Sequence, residues 1–279
     1  MRPGELYVVA VPIGNPLDLT QRAREVLLSA DVIACEDTRV SGELLAGLGG
    51  KTPRLLSHHE HNESASALGL IEMINQGLRV VLISDAGTPL LSDPGHHLVR
   101  QAFAHGITPR CIPGASSLAA TLSVCPIGGS THFFGGFPPS QRGNRRRVFE
   151  RVQGCADRLV FFESPHRLAE HLEDAQSVFG DTDVFIAREL TKPHEELLFK
   201  TLNEMLLHFQ QTQPRGEFVI VYKSPEPEPL SADHVERHIR KLLEQGKRDQ
   251  EVIDELRETS GLKRKEIYDL IQRIKGKVK

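Results

Sequence analysis

The feature that most constrains this chain is an alternation between two kinds of apolar pattern. Short runs of aliphatic and β-branched residues recur at 6–11, 31–36, 80–84, 107–112, 159–163, 184–187 and 218–222. Between them lie stripes of helical period. Ala23, Val26, Leu27 and Ala30 fall at i, i+3, i+4 and i+7, and Leu168, Leu172, Ala175 and Phe179 repeat the signature. Strand, helix and strand in succession predict an α/β protein, with mostly parallel sheets carrying helices on their faces. Glycine and proline cluster over 125–143, so two α/β lobes are expected, 1–120 and 121–224, with a cleft between them.

The pattern changes at 224–229, where proline alternates with serine and glutamate. Such a segment holds neither a helix nor a central strand, and an extended linker is expected over 225–230. Beyond it, Val235, Ile239, Leu242 and Leu243 mark one helix, and Val252, Ile253 and Leu256 mark a second. After the break at Ser260 and Gly261, Ile267, Leu270, Ile271 and Ile274 mark a third. The expectation for 231–279 is a small all-α domain resembling a helix-turn-helix.

Charge follows the same division. The 279 residues carry 34 Lys+Arg against 37 Asp+Glu, a net −3, but residues 230–279 alone hold 13 against 10, leaving −6 for the rest. The whole-chain field therefore does not mark a polyanion binder, and any such contact must be local. With no Trp and three Tyr, a broad stacking platform for single strands is excluded. Cys35, Cys111, Cys125 and Cys155 form no C-x-x-C pair, which excludes zinc-finger spacing and a disulfide scaffold and fits a reducing compartment. The apolar run at 6–11 is too short for a signal peptide or membrane span, so a soluble, cytoplasmic protein is expected. His58, His59 and His61 with Glu60 and Glu63 lack the H-E-x-x-H spacing, and no metal site is expected there.

Four strands lead into loops of unusual composition. Val11-Pro12-Ile13-Gly14-Asn15-Pro16 allows close backbone approach ahead of a helix, although G-x-G-x-x-G and the Walker lysine are absent. Ser84-Asp85-Ala86-Gly87-Thr88-Pro89, followed by Ser92-Asp93-Pro94-Gly95, sits where α/β sheets bind ligands, beyond the carboxyl ends of strands. Turn chemistry is the plainer reading of the same residues. Pro113-Gly114-Ala115-Ser116-Ser117 either lines a pocket or lets a helix pack closely, and Glu36-Asp37-Thr38-Arg39 is a site or a helix start with a local ion pair. Three further polar patches flank later strands: Glu163 to Arg167, Arg188 to Lys192, and Arg215 to Glu217.

Taken in order, several segments resemble a known family. They are Val8 to Asn15 with Asp18-Leu19-Thr20 and Arg22-Ala23, Glu36 to Arg39, Ser57-His58 with Asn62-Glu63, and the two Asp-containing loops. Pro113-Gly114, Gly136-Phe137-Pro138, Glu163 to Arg167 and Arg188 to Lys192 complete the set. Together they are similar to the tetrapyrrole-methylase-like S-adenosylmethionine methyltransferases, and within them to the branch that methylates a cytidine ribose 2′-oxygen in small-subunit ribosomal RNA. The resemblance implies a bilobal fold with S-adenosylmethionine in the cleft, a partner in the RNA of the small ribosomal subunit, no membrane, and a homodimer. Carried over by position, the cofactor would touch Pro12, Ile13, Asp85, Ala86, Gly87, Pro89, Ala115, Ser116, Ser117, Phe162, Glu163 and Glu217.

Methyl transfer to a ribose hydroxyl needs alignment and gains from a general base. Glu36, Asp37, Glu163, Glu189 and Lys192 are the candidates; Glu36 and Asp37 are favoured, while Lys192 needs a depressed pKa or instead lowers that of the hydroxyl electrostatically. Arg142, Arg145, Arg146 and Arg147 form a basic segment beside the expected cleft, and with Arg39 and Arg188 they are candidates for phosphate contact. Two other readings stay open: a methyltransferase for a small tetrapyrrole, and a non-catalytic RNA-binding assembly factor working through its terminal helices.

Overall fold

A computed structural model describes residues 4–50, 53–225, 232–259 and 262–276. Residues 1–152 and 156–223 cluster into one unit; 224–279 cluster with 153–155 into another.

The larger unit contains two five-stranded sheets. The first is wholly parallel, in the order β3-β2-β4-β1-β5, formed by β1 (Glu5–Val9), β2 (Val32–Cys35), β3 (Arg54–Ser57), β4 (Arg79–Leu82) and β5 (Arg110–Ile112). Strand alternation divides its side chains cleanly between two cores. Tyr7, Val9, Ile33, Cys35 and Val81 face α1 (Gln21–Leu28) and α2 (Thr38–Leu48). Leu6, Val32, Ala34, Val80 and Leu82 face α3 (Glu63–Asn75) and α4 (His96–Ala104). Side-chain caps fix where helices start: Thr20 accepts the N–H of Ala23 at 3.1 Å, and Asp37 that of Arg39 at 2.8 Å. Because every strand runs the same way, the loops after β1, β2, β4 and β5 emerge on one edge.

α5 (Ser117–Val124) follows the first sheet, and its Leu118 and Leu122 pack on the second. That sheet has the order β6-β7-β10-β8-β9, from β6 (His132–Phe134), β7 (Arg158–Glu163), β8 (Asp183–Arg188), β9 (Glu196–Thr201) and β10 (Phe218–Lys223). The mostly parallel arrangement expected for both lobes holds for the first sheet; in the second, only β6 with β7 pairs in parallel. β8 turns back directly into β9, and β10 enters antiparallel between β7 and β8. The alternation reads correctly through α6 (Arg142–Val152) and α7 (Leu168–Phe179), the crossovers to β7 and β8, but a short reversal needs no helix. It also places the carboxyl ends of β7 and β8 and the amino end of β10 on one edge. Phe161, Ile186, Ile220 and Tyr222 pack beneath α6, α7 and α8 (Leu202–Gln211), forming the largest core.

The described residues of the smaller unit include three helices, α9 (Ala232–Glu244), α10 (Asp249–Thr259) and α11 (Arg264–Gly276). Val235, Ile239, Leu242, Val252, Ile253, Leu256, Ile267, Ile271 and Ile274 form its core, the periodic positions of the sequence; Leu243 and Leu270 flank it. The linker expected at 225–230 lies, beyond Pro225, outside the described residues, as does the break at Ser260 and Gly261.

Candidate active site

The strand-end loops of the two sheets enclose a cavity of about 300 Å³. The first sheet contributes Ile13, Ala86, Gly87, Thr88, Leu91, Ser92, Asp93, Ser116 and Ser117. The second contributes Phe137, Phe162, Glu163, Ser164, Pro165, Ala187, Leu190 and the segment from Gly216 to Val219. Hydrogen bonds tie the loops together. Val11 and Gly87 exchange backbone bonds of 2.8 and 3.1 Å, and the Thr88 hydroxyl donates to the Ala115 carbonyl at 3.0 Å. The Asp85 carboxylate accepts the Asp37 N–H at 3.0 Å, which draws in the loop after β2.

Two of these loops hold strained backbone. Among the described residues the non-glycine residues with positive φ are Leu90 (71°), Ser92 (70°), Glu189 (50°) and Thr191 (65°). Each such conformation costs on the order of 1–3 kcal/mol and persists only where surrounding contacts enforce it. Close approach enforces part of it: a Cβ on Gly14 would lie 2.4 Å from Lys192 Cγ and 3.0 Å from the Leu190 carbonyl. Gly216, at φ 88°, leaves no room either, since its Cβ would sit 2.5 Å from the Glu189 carboxylate.

Of the twelve residues expected to meet a cofactor, Ile13, Ala86, Gly87, Ser116, Ser117, Phe162, Glu163 and Glu217 line the cavity. Pro12, Asp85, Pro89 and Ala115 belong to the same loops; the Pro12 and Ala115 carbonyls and the Asp85 carboxylate are engaged in holding them. The Glu163 side chain is buried. It accepts from His171 Nδ1 at 2.9 Å and from the Ser164 N–H at 2.8 Å, with Arg167 at 3.2 Å. Burial pushes its pKa up, but these donors outweigh that and hold it low.

Glu36, Asp37 and Lys192 lie outside the lining, as does Glu189; of the candidate bases Glu163 lines it. Burial pushes the Glu36 carboxyl up, and nearby Asp85 adds to the shift. Asp37 is the cap of α2, and its bonds to Arg39 hold it down at about 2, making it a poor base at neutral pH. Lys192 is clamped between Glu189 (2.9 Å) and Glu217 (3.1 Å). Burial would lower its pKa, but the two carboxylates win and raise it, so Lys192 is a fixed cation rather than a base.

Within the arginine segment read as a phosphate contact, Arg145 requires correction. The segment is the first part of α6, and Arg142, Arg145 and Arg146 share a face that meets Asp174 on α7 at 3.1, 2.6 and 2.7 Å. Arg145 is completely buried and also donates to the Ser140 carbonyl at 3.1 Å, so it is not available to RNA. Arg147 lies off that face and is exposed. Arg39 is 87% exposed despite its pairing with Asp37, and Arg188 pairs with Glu196 at 2.9 Å.

Asp93 is the lining carboxylate that the assignment by position omits. Burial pushes its carboxyl up to about 6; a Ser84 hydrogen bond opposes the shift, and the charges of Glu36 and Asp85 add to it. The signal was present as the second Asp-containing loop, but the environment is tertiary and had no local trace.

The residues fit S-adenosylmethionine by their chemistry. Phe137, Phe162, Leu91 and Leu190 offer apolar cover for a nucleoside, and the first turn of α5 leaves the N–H groups of Ser117 and Leu118 without intrahelical acceptors. Glu217 is a carboxylate at the lining, suited to a sulfonium cation.

Comparison with known proteins agrees. The profile of the Tetrapyrrole (Corrin/Porphyrin) Methylases matches residues 5–206. The chain is 37% identical over 273 residues to ribosomal RNA small subunit methyltransferase I of Halalkalibacterium halodurans, covering 96% of this chain and 94% of that protein. The protein of the same name from Thermotoga maritima is 39% identical over 223 residues, 80% of this chain and 100% of its own length. Among solved structures, uroporphyrin-III C-methyltransferase from Thermus thermophilus in complex with S-adenosyl homocysteine shares the fold. Its TM-score is 0.55 at 19% identity, over 78% of this chain and 97% of that one. The chain therefore belongs to the tetrapyrrole methylase family, in the group of ribosomal RNA small subunit methyltransferase I proteins.

Proposed function

We propose that this protein transfers a methyl group from S-adenosylmethionine to the ribose 2′-oxygen of a cytidine in small-subunit ribosomal RNA. The observation that carries the reading is the cavity itself: strand-end loops of both sheets converge on one chamber, and the chain's relatives over nearly its whole length bear that enzyme's name. S-adenosylmethionine supplies an activated methyl on a sulfonium, so neither a metal nor a covalent enzyme intermediate is needed. The chain's own part is positional. The loops around Ile13, Gly87 and Ser116 orient the donor, apolar side chains exclude water, and fixed carboxylates favour positive charge. Holding reactants in line near contact distance gives effective molarities of about 10⁵–10⁸ M.

Exposed Arg39 and Arg147 are the proposed phosphate contacts. A homodimer is proposed on the edge strand β9, whose Leu197 and Phe199 are 43% and 51% exposed. No described helix is long and apolar enough to cross a membrane, and the proposed place of action is the cytoplasm, where ribosomal subunits are.

The test is transfer of labelled methyl to unmodified small ribosomal subunits, with naked ribosomal RNA in parallel, followed by nucleoside analysis. The expected product is 2′-O-methylcytidine on the particle. Saturable donor binding with no transfer to either RNA would refute the ribosomal reading and favour a small acceptor.

A further inference from the structure

We propose that Asp93 is the proton acceptor for the ribose hydroxyl, with Glu36 and Asp85 as positioning residues that act through their charge. The proposal rests on the methyl-transfer reading and assigns the step that reading leaves without a base.

The geometry selects Asp93 by what surrounds each lining carboxylate. Glu163 is held by His171 and Arg167, and Glu217 is paired with Lys192. A carboxylate bonded to cations is a weak base, because the proton must displace them. Asp93 also lines the cavity, but its charged neighbours are carboxylates: Glu36 from the end of β2 and Asp85 from the loop after β4. On α3, Glu63 accepts the N–H groups of Gly95 (2.8 Å) and His97 (2.7 Å), fixing the chain just beyond Asp93; His96 and His97 themselves are exposed. Ser92, at φ 70°, is one of the strained residues, so the backbone bearing Asp93 is held by tertiary contacts.

The Ser84 hydroxyl completes the arrangement. Its hydrogen bond to Asp93 favours the ionised carboxylate, the form that accepts a proton, and so opposes the rise. A carboxyl poised at about 6 is largely ionised at neutral pH, yet it is basic enough to share a proton in the transition state.

In the assigned step the ribose oxygen bonds the methyl carbon of the sulfonium while its proton passes to the Asp93 carboxylate. The carbon–sulfur electron pair stays on sulfur, leaving a neutral thioether, and Asp93 then yields its proton to water.

Two measurements on the full chain test this. The first is a carboxyl-carbon NMR titration of aspartate-labelled protein without donor or RNA. One resonance is expected to titrate with a midpoint near 6. It should vanish in Asp93→Asn and move to lower pH in Glu36→Gln, where a like charge is gone. Its persistence in Asp93→Asn would overturn the assignment.

The second is single-turnover methyl transfer to small subunits across pH. Wild type should show an acid limb following the same ionisation. Asp93→Asn should slow transfer by about 10²–10⁴-fold with S-adenosyl homocysteine affinity retained. Glu36→Gln should shift the limb downward and, by leaving Asp93 a weaker base, lower the alkaline rate by far less than Asp93→Asn does. Wild-type rate in Asp93→Asn, or a loss of alkaline rate in Glu36→Gln as large as that expected of Asp93→Asn, would overturn the proposal, the latter in favour of Glu36. Failure of the wild type to methylate the particle despite binding donor would instead refute the ribosomal reading.

Discussion

Two aspartates in the larger unit, one fully buried and one half-buried, meet opposite electrostatic fates. Asp174, on α7, sits among Arg142, Arg145 and Arg146; burial pushes its carboxyl up, but the three guanidinium groups outweigh that and hold it low. Asp93, in the loop after β4, has Glu36 and Asp85 for neighbours and is pushed up. The first arrangement saturates its charge and joins two helices. The second leaves its charge frustrated inside a cavity, a condition that stability alone does not favour and that acid–base chemistry needs. The same residue type therefore marks scaffold on one side and chemistry on the other, and what separates them is the sign of the neighbours.

Breaking the saturated side should have the largest effect. Asp174→Ala leaves the buried Arg145 with only the exposed Glu170, at 3.4 Å, for a counter-charge, at an expected loss of about 3–5 kcal/mol in urea denaturation. Replacing Arg145 and Asp174 together by apolar residues of similar volume should recover most of that, since the penalty lies in the orphaned charge. A double variant as unstable as the single one would show that the pair itself carries the stability.

The frustrated side should respond with the opposite sign. The folded-state pKa of Asp93, about 6, stands above its ordinary 3.8, so the folded state binds the proton more tightly. Stability is then greatest below the lower value and falls as pH rises through the interval between them. Asp93→Asn removes that term and should stabilise the protein at neutral pH by about 1–3 kcal/mol, with little difference from wild type in acid. An Asn variant less stable than wild type at neutral pH would place Asp93 with the scaffold. The seam between the loops gives an effect of similar size. Gly14→Ala forces its methyl against Lys192 and the Leu190 carbonyl, costing about 1–3 kcal/mol and weakening donor binding, as calorimetry would read.

This contrast also explains what the sequence reveals and what it conceals. The central strands of the first sheet are apolar runs that the sequence displays, and its loops fall where parallel strands must end. The strands it hides are β3, β6 and β9, each at a sheet edge and partly exposed, so their residues need not form a buried run. β9 carries Leu197 and Phe199 on its exposed positions, the reverse of the usual alternation. The antiparallel entry of β10 follows from pairing choices that period and composition do not encode. The loops that line the cavity are legible as motifs. The partners of Asp93 and Asp174 are not, because Glu36 and Arg145 reach them only through the fold.

The smallest effect on stability is expected at the exposed arginines, and it is the one that separates surface charge from both aspartate sites. Arg39 is 87% exposed, and such a pair is held in water and screened by salt. Arg39→Ala and Arg147→Ala should therefore leave the melting temperature unchanged. If these side chains meet phosphates, each substitution removes one counterion-releasing contact. The slope of log affinity for ribosomal RNA against log salt should flatten by about one per arginine. Measured across a salt series, a fall in affinity at low salt with an unchanged slope would assign them to orientation of the RNA rather than neutralisation. An unaltered affinity would leave the RNA contact to other surfaces, while the opposition between Asp93 and Asp174 would stand.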